Sequence, residues 1–225
     1  MDVQQLVAPC QLLPHGTLTV YPSLDGHVAH GSVDLTWANL VIAAGNYVKA
    51  DGTSGALINI SASATTNQWM TLYRSIFCFD TSALPSICVI QSATFSLRGV
   101  ATKADALSIT PNINVYASAP ASDTVLAAGD FDSLGTTAFC DTPITYAGWD
   151  ESATYNDFVL NAAGLAAISK TGITKLGIRN ANYDVAEALD PGNHAPNWTS
   201  LAGSTLYCYF VERGTTLRPK LIIVY

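Results

Sequence analysis

Apolar and polar residues alternate with a period of two through much of the chain, which is the pattern of strands with one face buried. Ala93, Phe95 and Leu97 fall on one side of such a run, against Ser92, Thr94, Ser96 and Arg98. Ile113, Val115 and Ala117 oppose Asn112, Asn114 and Ser118 in the same way. Segments 17–21 (TLTVY), 56–63 (ALINISAS), 71–79 (TLYRSIFCF), 174–179 (TKLGIR), 205–211 (TLYCYFV) and 220–225 (KLIIVY) are rich in β-branched and aromatic residues and are expected to be strands. Gly or Pro punctuates the intervals at Asp51-Gly52, Leu84-Pro85-Ser86, Ala128-Gly129-Asp130, Pro191-Gly192-Asn193 and Arg213-Gly214, where the chain must reverse. Many short strands separated by turn chemistry predict an all-β fold, an antiparallel β-sandwich of the jelly-roll type. One short helix is expected from Asn161, a side chain suited to capping, through Leu165 and Ile168, ending near Gly172.

The 225 residues suit a single sandwich domain, with residues 1–50 either part of it or an N-terminal arm. Only 12% of the chain is charged and the formal net charge is −7, with ten Lys and Arg scattered along its length. Nucleic acid and anionic membranes are therefore not expected partners, since both require clustered cations. A charge-poor chain with no apolar run long enough for a membrane span must cover its uncharged surface, and homo-oligomer formation is the expected means. The first sixteen residues hold Asp2, no Lys or Arg and no sustained apolar stretch, so no signal peptide is expected. Cys10, Cys78, Cys88, Cys140 and Cys208 are an odd set without a CxxC pair, which predicts free thiols, with Cys78 and Cys208 buried in strands.

The stretch LYRSIFCFDTSALPSICVIQSATFSLRG resembles the DNRLRE family and related jelly-roll carbohydrate-binding modules through Arg74, Phe79, Asp80, Leu84, Pro85, Ile90, Ser92 and Ala93. The segment YNDFVLNAAGLAAISKTGITKLGIRNANYD and the ending RPKLIIVY are similar to the later parts of such domains, especially versions encoded among phage structural genes. The resemblance spans residues from about 70 to 225 and implies a fold and a non-catalytic role. Within it, Arg74 and Asp80 are expected to form an internal ion pair rather than a ligand site.

Candidate chemistry is sparse. Asp25-Gly26-His27-Val28-Ala29-His30 has metal-ligand spacing but lacks further ligands nearby, so an exposed polar loop is expected. Asp123, Asp130, Asp132, Asp150 and Glu151 suit turns better than calcium. No nucleophile elbow, phosphate loop, dinucleotide fingerprint or metalloprotease pair occurs, so no catalytic residue, metal or cofactor is assigned. Trp37 and Trp69 flank strands and are expected in the core. Tyr146, Trp149 and Trp198 lie in loop-like sequence and are the candidate platform for stacking a sugar ring. The functional expectation is a structural protein of a bacteriophage virion, a capsid decoration or tail-fibre-type subunit contacting other virion proteins. The alternative is an extracellular carbohydrate-binding or adhesion module that recognises a cell-surface glycan, and a polysaccharide-active enzyme ranks third.

Overall fold

The computed structural model describes residues 13–100, 103–151 and 153–225. In chain order they form β1 (Thr17–Val20), β2 (Pro22–Leu35), α1 (Trp37–Ile42), β3 (Tyr47–Lys49), β4 (Ser54–Ala62), β5 (Trp69–Asp80), β6 (Ser92–Arg98), β7 (Ala104–Asp105) and β8 (Asn112–Ala117). There follow β9 (Ile144–Thr145), β10 (Tyr155–Val159), α2 (Ala162–Ala166), β11 (Ile173–Asn180), α3 (Ala186–Leu189), β12 (Gly203–Tyr209) and β13 (Lys220–Val224). Every strand pairing is antiparallel. A four-stranded sheet runs β1-β13-β6-β10, and a nine-stranded sheet is built around β5.

The expected sandwich is present. Ala93, Phe95 and Leu97 of β6 face inward against Phe77 and Phe79 of β5, and Phe95 meets those two rings edge to face at 5.1 and 5.5 Å. Phe158, Leu176, Ile178, Leu221 and Ile223 complete this core between the sheets. Each large apolar side chain removed from water there contributes roughly 1.5–3 kcal/mol.

A second core lies on the other face of the large sheet, and simple alternation does not announce it. Leu72, Ile76 and Cys78 of β5 project there and are covered by Trp37, Leu40 and Val41 of α1, together with Phe131 and Leu134. Strand β5 is thus buried on both faces, which is why its sequence is nearly continuous in large residues. A register shift opposite Ser61 and Ala62 leaves Met70 exposed and turns Trp69 into this second core.

Strand β2 runs beside β5 for most of its length, from Pro22 opposite Phe79 to Leu35 opposite Trp69. Residues 25–30 are therefore strand rather than exposed loop. Asp25 and His27 are buried, because β5 covers one edge of β2 and β3 the other. Residues 13–50 join both sheets through β1, β2 and β3, while the rest of the segment 1–50 read as a possible arm, residues 1–12, lies outside the described residues.

Asn161 caps α2 by accepting a hydrogen bond from the Gly164 amide at 3.1 Å. The helix stops at Ala166, before Gly172, because Ile168 turns inward into the first core. Cys78, Cys88, Cys140 and Cys208 are free and buried; Cys10 lies outside the described residues.

The expected Arg74–Asp80 pair does not form. Six residues of extended strand separate the two by about 20 Å, and Asp80 instead accepts the Ser82 amide at the turn. Arg74 binds Asp184, bidentately, at 2.9 and 2.6 Å, and Arg179 grips the same carboxylate at 2.8 and 2.7 Å. Further guanidinium donors reach the carbonyls of Val41, Phe131, Leu134 and Gly135. All three side chains are buried. Burial alone raises the Asp184 pKa, but the two guanidiniums override it and hold the carboxylate well below its ordinary range. The triad fastens α1, the Ala128–Ser133 turn and the Ala181–Val185 π-helical turn to the sheet.

Candidate functional site

The face of β5 that carries Phe77 and Phe79 into the sandwich core does not stay covered. Beyond Ser75, whose hydroxyl donates to the Leu57 carbonyl at 2.7 Å, the small sheet no longer reaches it. Tyr73 emerges into an open groove of about 520 Å3. Its walls come from His27 of β2, Tyr47 and Lys49 of β3, Asn59 and Ser61 of β4, and Thr205 and Tyr207 of β12. A second depression of about 470 Å3 shares Tyr47 and Tyr73 and continues past Thr71, Gly31 and Asn46. Both volumes fall in the range of about 300–1,000 Å3 common to small-ligand sites, and together they form one trough.

Aromatic rings form one wall of the trough. His27 stacks on Tyr73 at 4.7 Å and on Tyr47 at 5.8 Å, with Tyr47 and Tyr73 6.1 Å apart and all three nearly parallel. Pairing explains the cluster: Ala29 sits between Tyr47 and Tyr73 across three neighbouring strands, and its methyl leaves room for the rings to lean together. Gly55 serves the same end, since a Cβ there would strike Phe210 at 2.4 Å and crowd His27.

Burial, reinforced by Lys49, lowers the His27 pKa to about 4, so its imidazole is neutral at physiological pH. Asp25, two residues earlier, is pushed up to about 8 by burial and by Glu212, against the Val211 amide that donates to it. Near neutrality Asp25 and His27 beneath the trough are therefore uncharged, and among the described residues Lys49 is the one permanent charge in its lining.

The polar groups on the opposite wall are pre-arranged. Thr205 donates to Asn59 Oδ1 at 2.7 Å and Asn59 Nδ2 donates to Ser61 at 3.2 Å. Tyr47 and Tyr207 line the groove with Tyr73, whose pKa is raised by burial first and then by those two phenols. Hydroxyls, an amide and flat ring surface in one lining suit a ligand that is itself polyhydroxylated with apolar ring faces. Among the described residues the lining holds no carboxylate.

The three aromatics picked out from the sequence lie elsewhere. Trp149 is buried in the first core, because its turn folds back through the Trp149 amide to the Thr145 carbonyl at 3.0 Å. A buried indole offers no face to a sugar, which corrects that expectation. Tyr146 is half-buried against the same core, beneath the Lys103 ammonium at 5.1 Å. Trp198 is half-buried over the second core and donates to the Gln68 carbonyl at 3.1 Å. None of the three lines the trough. Trp37 and Trp69 are core residues as expected. The loop aspartates act as turn formers: Asp130 accepts the Ala121 and Ala127 amides, Asp150 accepts those of Ala153 and Thr154, and Asp123 pairs with Lys175.

What the sequence reading missed was the trough itself. Its residues are spread over five strands, and β2 looks like a loop because Gly26, His27 and Gly31 interrupt its apolar pattern. The available signal was the polar end of an otherwise apolar run, Thr71 and Tyr73 in phase with Ser75, Phe77 and Phe79. Compared with models of known protein families and with curated proteins, the chain matches none.

Proposed function

We propose that this chain is a non-catalytic binding module that holds a glycan chain in the trough across its large sheet. The observation that carries this reading is the His27–Tyr47–Tyr73 ring cluster facing the Asn59–Ser61–Thr205 hydrogen-bonded row. Rings supply stacking surface and the row supplies directional hydrogen bonds, the two elements by which a sugar is distinguished from water. The resemblance to jelly-roll carbohydrate-binding modules points the same way. Affinity electrophoresis against a panel of polysaccharides tests it. Retardation by at least one polymer is expected, lost in Tyr73→Ala and Tyr207→Ala proteins that keep the wild-type melting temperature. No retardation across the panel, or retardation that survives both substitutions, sinks the reading.

A second reading, a structural subunit of a bacteriophage particle, draws support from apolar side chains standing in solvent, with Ile87 56%, Val89 57% and Val159 64% exposed. Such residues suit contact with further copies or with other virion proteins. Mass spectrometry of purified particles is the test. Copies near those of the major capsid subunit indicate decoration, a few copies indicate a fibre, and absence from the particle overturns this reading.

A further inference from the structure

The strand registers give the trough a direction. Tyr47 of β3 lies opposite Ala29 of β2, and Ala29 lies opposite Tyr73 of β5. Tyr73 in turn faces Asn59 of β4, and Asn59 faces Thr205 of β12. These residues form one row across five strands, and four strand-to-strand steps of about 4.8 Å make it roughly 19 Å long. Two residues away on each strand from β2 to β12 runs a second row on the same face, made of the small residues Gly31, Thr71, Ser61 and Gly203. A row of larger side chains thus stands beside a low one, and the trough runs across the strands rather than along them. Tyr47 is 45% exposed, and Tyr73, Asn59 and Thr205 are partly exposed, so the first row presents its side chains to a ligand while Ala29 lies buried beneath the rings.

The two ends of the row differ in chemistry. Tyr47 and Tyr73 supply ring surface at one end, and Asn59 and Thr205 supply hydrogen-bonding groups at the other. A single sugar reaches only its nearest neighbours on the row. In an extended glycan each pyranose advances the chain by nearly one strand-to-strand step, so about four sugars are needed to touch the row from Tyr47 to Thr205. Among the described residues the sheet has no further strand beyond Tyr47, since β3 pairs with β2 alone. Beyond Thr205 comes Ala104, a small exposed residue of β7, the last strand on that side. Both ends of the row therefore meet sheet edges, and a longer chain has a way past each.

We propose that the trough selects an internal segment of a linear polysaccharide, about four sugars long and lying across the strands. The inference rests on the glycan reading and adds length and direction to it. The probes are linear mannan, xylan and β-glucan, and the ladder of short oligosaccharides obtained by partial hydrolysis of whichever polymer retards the full chain. Calorimetric affinity should rise at least about tenfold from dimer to tetramer, because each added sugar gains contacts without a second loss of overall freedom. From tetramer to hexamer it should change less than about twofold, because the row has ended. Reducing the terminal sugar of the hexamer to its alditol should leave affinity unchanged, since an internal segment needs no chain end. In Tyr47→Ala and in Thr205→Ala, which shorten the row from opposite ends, trimer and tetramer should bind within about twofold of each other. Equal binding of dimer and tetramer by the wild-type protein, or loss of hexamer binding on reduction, overturns this inference while retardation by the polymer upholds the glycan reading. Failure of every polymer to retard the protein removes both. The wild-type ladder decides the matter even where a variant fails to fold.

Discussion

Tyr73 and Arg74 are neighbours in sequence and point to opposite faces of the same sheet, and each is the centre of a polar assembly. Around Arg74 four of the five guanidinium N–H groups have acceptors, the Asp184 carboxylate is held from two sides, and the group is sealed from water. Around Tyr73 the phenols stand free at the edge of an open trough. Saturation is what separates the two. A polar cluster whose bonds are all spent inward is architecture, whereas one that keeps donors and acceptors facing solvent is equipped to receive something.

The largest effect is expected from breaking the sealed side. Asp184→Asn leaves two buried guanidiniums without their carboxylate and should cost about 3–5 kcal/mol in urea unfolding. Any folded fraction should retain the wild type's ranking of polysaccharides, because the triad does not line the trough.

Titration beneath the open side comes next. The folded-state pKa of Asp25, about 8, exceeds its ordinary value of 3.8, so the folded protein binds this proton more tightly than the unfolded chain. Its contribution to stability is greatest below pH 3.8 and declines as pH rises to 8, by an amount on the order of a few kcal/mol. Asp25→Asn keeps an acceptor for the Val211 amide and removes that slope. The variant should unfold at higher urea than wild type at pH 8, and the gap should close toward pH 4. His27 acts in the opposite direction: its pKa is lowered from 6.5 to about 4, so stability is present above pH 6.5 and is lost as pH falls through that window. His27→Gln should flatten the acid limb alone.

Smaller changes sharpen the comparison from the ligand's side. Tyr73→Ala should cost roughly 1–2 kcal/mol of glycan affinity, measured calorimetrically. Asn59→Ala, which removes one member of a hydrogen-bonded row, should cost about 1 kcal/mol. Neither should approach the stability loss of Asp184→Asn, and a similar loss would erase the distinction between the two sides.

The sandwich was legible because β6, β8 and β13 carry their inward residues at every second position. The second core was less so, since β5 carries apolar residues on both faces and periodicity cannot say what covers the second one. The cover itself consists of short, irregular pieces such as α1 and the turn around Phe131, whose shape depends on Arg74 and Arg179 finding a carboxylate 110 and 5 residues away. Trp149 misled for a similar reason: a turn-rich sequence predicts a loop but not which way its indole points. The trough could not be read as a motif because it is an assembly across five strands, with no strand supplying it alone.

Apart from Asn46, the trough's residues sit on strands rather than on loops. Except in the edge strand β3, that backbone is fixed by ladders on both sides, so a ligand entering the trough has little motion to freeze out, and even a modest set of contacts translates into affinity. It also means that selectivity cannot drift through loop insertions, as it does in antibody-like scaffolds. A change of preferred ligand would have to come through single replacements at positions such as Asn59 or Thr205, leaving the loops at both ends free to acquire attachments of their own.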